Sequence, residues 1–287
     1  MDFSRKDAKK KKPGVFVPRT GYFAPLREVF SEEWPLLITR SAAERGVPSL
    51  VWRAGQDRRW AMICQAAGER LVGGRVLDVG CGVGVYLRAF REVTSHRFGV
   101  EIEGERACQA AAHGCVVQAP GEWLPFPADA FDLVLSHEVI EHVADDRACV
   151  AEMVRVLRCG GRLVVFCPNR LYPFETHGHY WRGRYYFGNT PLINYLPDRL
   201  RDRLAPHVRS YTGRAVRALF DGLPVRIVSH RRVYPGYDNL LARRPILGRW
   251  MRWVTYHLER TPLAAIGLSH VLVVEKRAGP DVRSAPP

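Results

Sequence analysis

The sequence lacks any apolar run long enough to cross a membrane. Of its 287 residues 47% are hydrophobic, but no stretch approaches the roughly 20 consecutive apolar residues that a membrane-spanning helix needs. The N-terminus is basic, and no apolar segment follows it as one would in a secretory signal. We therefore expect a cytoplasmic protein without a transmembrane segment, with peripheral contact to a membrane surface left open.

Paired cysteines are absent as well. The seven cysteines are scattered and never stand as Cys-x-x-Cys. The sequence therefore predicts neither a zinc site nor a disulfide framework. We expect reduced thiols that pack as small apolar residues.

Positive charge is what the sequence has in excess. It carries 43 Lys and Arg against 29 Asp and Glu, which gives a formal net charge of +14. This balance favours anionic partners such as nucleic acid, phospholipid or an acidic substrate. It is equally typical of an arginine-rich proteome, and both interpretations stay open.

Strands and helices alternate through the middle of the chain. Short apolar segments begin at Arg75, Arg97, Cys115, Phe131 and Arg162, with helical segments between most of them. This alternation predicts an α/β fold with a Rossmann-like, mostly parallel sheet and helices on both faces. We expect a flexible basic tail (1–18), a helical N-terminal layer or lid (19–73), an α/β domain (74–277) with insertions at 168–211 and 234–262, and a flexible C-terminal tail (278–287).

The strongest motif is a glycine-rich loop after the first strand. Residues 78–84 read Asp-Val-Gly-Cys-Gly-Val-Gly and connect a strand to a helix, which is the context that a nucleotide-binding loop requires. The spacing differs from the Gly-x-Gly-x-x-Gly of dinucleotide folds, and Asp78 would repel a pyrophosphate but suits a cationic ligand. Glu101 follows about 20 residues later, where a carboxylate can bind a ribose diol.

These residues resemble motif I of the class I S-adenosylmethionine-dependent methyltransferases, of the type 11 and ubiquinone-biosynthesis O-methyltransferase kind. Segments 121–126, 131–134 and 156–163 resemble the later motifs in order. The resemblance implies a seven-stranded sheet with a last, antiparallel strand at 270–276, and S-adenosyl-L-methionine as cofactor. Pro120 stands where many relatives have Asp, so backbone groups nearby would serve the adenine. The implied cofactor-binding residues are Asp78, Gly80, Cys81, Gly82, Gly84, Glu101, Ile102, Gly121, Glu122 and Ser136.

A candidate metal site follows the fourth strand. If a helix begins there, Glu138, Glu141 and His142 share one face, and this set can bind a divalent cation. The segment resembles the Glu-Val-Ile-Glu-His helix of small-RNA 3′-terminal 2′-O-methyltransferases and a similar helix in ubiquinone-biosynthesis O-methyltransferases, which implies Mg or Mn and a later ligand, His177 or His179. Such segments also occur in this superfamily without metal. In that case His142, His177 or His179 would act as a general base.

Three functions fit the sequence. The first is methyl transfer, at oxygen, to a small-molecule or lipid-precursor acceptor, which an aromatic cluster in the first insertion favours. The second is metal-dependent RNA 2′-O-methylation, which the net charge favours and which keeps nucleic acid among the candidate partners. The third is a non-catalytic binding protein that keeps the fold. Residues 240–258 mix Arg, Trp and aliphatic residues, as in a helix at an anionic membrane surface or, the interpretation that we favour, an ordinary packing helix.

Overall fold

A seven-stranded sheet forms the centre of the protein, which the computed structural model describes from residue 54 to residue 278. The strands of this part of the chain are β1 (Val76–Val79), β2 (Arg97–Glu101), β3 (Cys115–Gln118), β4 (Phe131–His137), β5 (Leu157–Pro168), β6 (Phe174–Glu175), β7 (His179–Trp181), β8 (Arg184–Tyr186), β9 (Thr190–Pro191), β10 (Val225–Val233) and β11 (Ser269–Lys276). Its helices are α1 (Ala54–Ala67), α2 (Val85–Phe90), α3 (Gly104–Ala110), α4 (Asp146–Val156), α5 (Asp198–Leu204), α6 (Gly213–Ala218), α7 (Asp238–Arg243) and α8 (Pro245–Leu258).

The central sheet has the strand order β10-β11-β5-β4-β1-β2-β3. β1 pairs in parallel with β2 and β4, β2 with β3, and β4 with β5. β11 is antiparallel to both of its neighbours, β5 and β10. The predicted Rossmann-like, mostly parallel sheet with an antiparallel last strand is therefore confirmed.

The central strands of the sheet are buried on both faces, as continuous apolar strands require. All four residues of β1 are buried, and so are residues 163–168 of β5. Residues of α4 and α6 pack on the same core cluster as the strands. On α1, the Trp60 ring lies edge-on to Phe90 of α2 at 5.0 Å, so this helix belongs to the layer that covers the sheet.

The helix that would place Glu138, Glu141 and His142 on one face does not form directly after β4. Glu138 has a φ of +57°, and the next regular element is α4, which begins at Asp146. Side chains from distant parts of the chain hold the backbone between Glu138 and Asp146. Glu122 Oε1 accepts the amides of Ala144 (2.8 Å) and Asp145 (3.2 Å). Arg209 donates to the carbonyls of Val143 and Ala144. Because these backbone groups are already bonded, no helical hydrogen bonds are needed to satisfy them.

The two insertions contain small elements of their own. Residues 168–211 hold the two-stranded pairs β6–β9 and β7–β8 and helix α5, and residues 234–262 hold α7 and α8. No helix within residues 54–278 is both long and apolar enough to span a bilayer. The predicted basic tail, most of the predicted N-terminal layer and nearly all of the C-terminal tail lie outside the described residues.

Candidate active site

The candidate site lies at the edge of the sheet where β1, β2, β4 and β5 end. From β1 the chain continues to β2 and β3 on one side, and later to β4 and β5 on the other. Ligands of open parallel sheets bind beyond the carboxyl ends of the strands at such a reversal of strand order. Most of the predicted site residues follow these strand ends and are therefore brought to one edge.

Three glycines in the left-handed region shape the loop after β1. Gly80, Gly82 and Gly84 have φ angles of 69°, 55° and 84°, a region that costs other residues about 1–2 kcal/mol. A Cβ on Gly80 would come within 2.5 Å of Val139 Cγ2, and one on Gly84 within 3.0 Å of Ala110 Cα, whereas one on Gly82 would meet no atom within 4 Å. The protein's own packing requires the outer two glycines, while Gly82 borders open space.

Backbone amides hold Glu101 beside this loop. Its Oε2 accepts the Gly82 amide at 2.8 Å, and its Oε1 accepts the Glu103 amide at 3.0 Å. The residue is only 5% exposed. A carboxylate fixed in this way still has lone pairs for hydroxyl donors, as the diol of a ribose would supply.

Asp78 is a buried carboxyl group with one oxygen that accepts no hydrogen bond from the described residues. The residue is 2% exposed, and its Oδ2 has no hydrogen-bond partner among the described residues. Burial, followed by the charge of Glu101, raises the pKa of Asp78 to about 8. The side chain is therefore mostly protonated at pH 7, and a cationic ligand would restore its charge. Ser136 Oγ, buried at the end of β4, likewise has no partner there.

Two apolar side chains stand in solvent after the next strands. Ile102 follows β2 and is 65% exposed, and Trp123 follows β3 and is 78% exposed. Apolar and aromatic surfaces of this kind can pack on a planar base. Trp123 was not among the expected cofactor-binding residues, although it lies in the segment 121–126 that carries part of the resemblance.

Cys81, Gly121 and Glu122, which were also predicted to bind the cofactor, have structural roles. The side chains of Cys81 and Glu122 contact other parts of the protein, and Gly121 leaves no room for a side chain. Cys81 is buried and packs with Leu87 in a small apolar cluster. A Cβ on Gly121 would reach Cys149 Sγ at 2.8 Å. Glu122 uses a carboxylate oxygen to hold the segment before α4. Any contact of Cys81 or Gly121 with a cofactor would therefore be made by the backbone.

Arg59 of α1 reaches the carboxyl ends of β4 and β5. Its Nη1 donates to His137 Nε2 at 2.6 Å, its Nη2 lies 3.4 Å from Glu138 Oε1, and Ser269 Oγ donates to the same Glu138 oxygen at 3.0 Å. Burial and then Arg59 lower the pKa of His137 to about 3. Burial alone would raise the pKa of Glu138, but Arg59 and neighbouring histidines outweigh this effect and lower the pKa of Glu138 to about 2.

A second cluster joins Glu141, His142 and His177. One potential ligand atom from each lies within 4.8 Å of the others. His142 Nδ1 donates to the carbonyl of His207 at 3.2 Å, and His177 Nδ1 donates to Glu175 Oε1 at 3.1 Å. Since Nδ1 carries the hydrogen in both rings, each Nε2 keeps a lone pair for a proton or a metal ion.

Burial and neighbouring charges shift the pKa values of Glu141 and His142. Burial, and then the neighbouring Glu138 carboxylate, raises the pKa of Glu141 well above its usual value. Burial and then His177 lower the pKa of His142. These shifts favour the protonated form of Glu141 and the neutral form of His142.

His179 lies elsewhere. Its Nδ1 is 3.1 Å from Thr190 Oγ1, and its ring stacks on Tyr186 with centroids 5.5 Å apart. His177, and not His179, therefore lies beside Glu141 and His142. Glu138 is not part of this cluster and instead forms an ion pair with Arg59.

A buried ion pair sets the position of His177. Glu175 Oε2 lies 3.1 Å from Arg201 Nη2, and both side chains are almost fully buried. Arg201 also donates to the carbonyl of Val208 at 2.9 Å. Because the other Glu175 oxygen accepts His177 Nδ1, this pair orients the imidazole toward Glu141. Sequence reasoning missed Glu175 and Arg201, since they lie 26 residues apart and form no motif.

Comparison with known families decides between the folds that share a nucleotide-binding crevice. The family described as methyltransferase domain matches residues 77–165, from β1 to β5. Residues 77–165 therefore belong to the class I S-adenosylmethionine-dependent methyltransferase family. The matched segment includes the glycine loop, Glu101, Glu141 and His142.

Curated relatives of this methyltransferase domain include proteins of mycobacteria. The chain is 36% identical over 161 residues to an uncharacterized methyltransferase of Mycolicibacterium vanbaalenii, which covers 52% of this chain and 63% of that protein. It is 31% identical over 136 residues to a probable S-adenosylmethionine-dependent methyltransferase of Mycolicibacterium smegmatis, covering 45% and 51%. The chain thus spans about half to three fifths of the length of these relatives.

Solved methyltransferase-like structures share the fold at low identity. An S-adenosylmethionine-dependent methyltransferase of Mesorhizobium loti superposes with a TM-score of 0.54 at 21% identity, covering 76% of this chain and 97% of that one. A 4+2 cyclase, SpnF, superposes with a TM-score of 0.54 at 18% identity, covering 85% and 93%. At these identities the likeness is one of fold.

The raised pKa of Asp78 makes a prediction for Asp78→Asn. The folded pKa lies above the unfolded one, so ionising Asp78 destabilises the ligand-free protein progressively as pH rises from about 4 to about 8. Asn removes this penalty, which is on the order of 5 kcal/mol at most. We expect Asp78→Asn to unfold at higher urea concentration than the wild type at pH 8, with the difference shrinking toward pH 5. A difference that does not change with pH would contradict the assignment.

Proposed function

We propose that this chain transfers a methyl group from S-adenosyl-L-methionine to an oxygen of a small-molecule or lipid-precursor acceptor. The observation that carries the proposal is the buried Asp78 carboxyl group without a partner for Oδ2 among the described residues, next to a loop that is open at Gly82. The ionised form of this carboxyl group would repel a pyrophosphate, whereas a cationic cofactor would stabilise it.

The residues at the sheet edge match the parts of this cofactor. When bound, S-adenosyl-L-methionine supplies an electrophilic methyl group on a positively charged sulfur. In the proposal Asp78 and the glycine loop bind its charged amino-acid portion, and Glu101 binds the ribose hydroxyls. Ile102 and Trp123 provide apolar surface for the adenine. Holding the reactants in line is the main contribution that a protein makes to such a transfer.

Removal of a proton from the acceptor hydroxyl falls to His142 or His177. Both rings donate through Nδ1 to protein oxygens, so Nε2 is the nitrogen that accepts the proton. The lowered pKa of His142 keeps it neutral, and therefore able to act as a base, at physiological pH. His179 is the third base predicted from the sequence, but its contacts with Thr190 and Tyr186 do not support that role.

Cofactor binding tests the proposal without knowledge of the acceptor. Wild type should bind S-adenosylhomocysteine in calorimetry with micromolar affinity, about −8 kcal/mol. Gly82→Arg fills the open space and Glu101→Ala removes the diol acceptor, so both should weaken binding at least about 100-fold, or ~2.7 kcal/mol.

Gly68→Arg is the matched control for Gly82→Arg. Gly68 has a φ of +58°, and a Cβ there would likewise meet no atom within 4 Å, but it lies just beyond the end of α1. We expect this variant to bind like the wild type. Equal losses in the two arginine variants, or no binding by the wild type, would contradict the proposal.

A divalent metal ion at the Glu141 cluster is the second element that we propose. Glu141, His142 and His177 offer one carboxylate and two imidazoles, a donor set that suits Mn or another borderline divalent cation. Glu175 orients His177 as outer carboxylates commonly orient metal-bound histidines. A bound cation would displace the Glu141 proton, and it would lower the cost of deprotonating an acceptor hydroxyl.

Manganese titration distinguishes the two candidate histidines. We expect Mn²⁺ binding, measured by calorimetry, to be lost in His177→Ala and retained in His179→Ala, since only His177 stands beside Glu141 and His142. Binding should tighten as pH rises, because Glu141 must lose its proton first. Equal binding by wild type and His177→Ala would rule out this site and leave the histidines as bases.

RNA 2′-O-methylation is the alternative function, supported by the net charge of +14 and by the same cluster. Turnover with RNA oligomers, but not with hydroxylated small molecules, would favour it. A non-catalytic binding role is the second alternative, because a fold alone does not fix an activity. Even among solved structures of this fold, one is named a cyclase and not a methyltransferase. Retained cofactor binding without any acceptor would favour that role.

A further inference from the structure

Helix α8 turns its large apolar side chains toward solvent. Ile246, Trp250 and Trp253 are spaced i, i+4 and i+7 and so form one stripe along the helix. They are 79%, 57% and 62% exposed, and Leu247 beside them is exposed too. Large contiguous apolar patches on a protein surface mark interaction sites.

The opposite face of α8 is already used to attach the helix. Gly248 and Thr255 are buried, and a Cβ on Gly248 would lie 2.8 Å from Leu241 Cα of α7. Arg252 Nε donates to the Gly236 carbonyl at 3.0 Å. Since small and polar residues fill the inner face, internal packing does not account for the apolar stripe. The packing interpretation favoured from the sequence describes only this inner face.

Exposed apolar side chains also follow the helix. A short 3₁₀ segment, Pro262–Ile266, follows α8 and contacts it. Its Leu263 and Ile266 are exposed as well. Two consecutive elements therefore carry exposed apolar side chains.

Basic residues frame the stripe, and acidic ones are absent from it. Residues 239–258 contain no Asp or Glu, while Arg243, Arg244 and Arg249 are exposed at the start of the stripe and Arg260 at its end. Within residues 54–278 no carboxylate forms a salt bridge with any of these four. The surface thus combines interfacial aromatic residues with unneutralised positive charge.

We propose that this stripe docks on the surface of an anionic lipid bilayer. Tryptophan side chains favour the boundary between headgroups and acyl chains, and arginines beside them attract anionic headgroups. A second copy of the chain would bring the same arginines together across a two-fold contact. Residues 1–53 carry eleven Lys and Arg against six Asp and Glu, so they are also a poor electrostatic match. Docking is independent of the proposed methyl transfer and needs no cofactor.

Vesicle co-sedimentation of the full chain tests the docking. We expect the wild type to sediment with vesicles of equal parts phosphatidylglycerol and phosphatidylcholine at physiological salt, and at least tenfold less with phosphatidylcholine alone. Trp250→Ser/Trp253→Ser should reduce the partition coefficient at least tenfold. Trp181→Ser is the matched control, because Trp181 is 53% exposed on β7, and it should bind like the wild type.

Two charge-reversal variants test the electrostatic contribution of the arginines to vesicle binding. Arg243→Glu/Arg249→Glu should abolish the preference for anionic vesicles, whereas Arg91→Glu/Arg147→Glu, the same charge change at two exposed arginines elsewhere, should leave most of it. Thermal unfolding checks that every variant is folded. A wild type that stays in the supernatant, or equal losses in stripe and control variants, would overturn the proposal. So would a dimer, seen by light scattering, that the tryptophan variant dissociates.

Discussion

The site depends on one buried carboxyl group. Asp78 lies near the end of β1, where both neighbouring strands and the loop exclude water from it. Its charge is unfavourable there without a cation, and Glu101 makes it more so. The Gly82 amide holds Glu101 in place, while Asp78 Oδ2 has no donor among residues 54–278. The protein therefore keeps a potential negative charge that a bound cationic ligand would stabilise.

Local patterns carried most of the fold prediction. The strands around the glycine loop are short apolar segments whose burial on both faces follows from parallel pairing, and so sequence alone predicted the sheet and the loop between β1 and α2. The irregular segment between β4 and α4 could not be predicted correctly. Its backbone is held by Glu122 and Arg209, which come from distant parts of the chain, and hydrophobic periodicity does not report such bonds.

Long-range contacts also arrange the second half of the candidate site. Choosing between His177 and His179 requires the Glu175–Arg201 ion pair, and the environment of Glu138 requires Arg59 from α1. The turn of α1 that carries Arg59 also carries Arg58, which binds Glu259 at the end of α8. Adjacent arginines thus connect the candidate site and the proposed membrane-docking helix to the same turn of α1.

Proton release on cofactor binding would test the role of Asp78 without intermediate steps. Asp78 should be mostly protonated in the free protein at pH 7 and ionised in the complex. Calorimetry of S-adenosyl-L-methionine binding at pH 7, in two buffers of different ionisation enthalpy, measures that proton. We expect the release of close to one proton per bound cofactor by the wild type, and none by Asp78→Asn. Binding by the wild type without proton release would show that Asp78 does not provide the charge that attracts the cofactor.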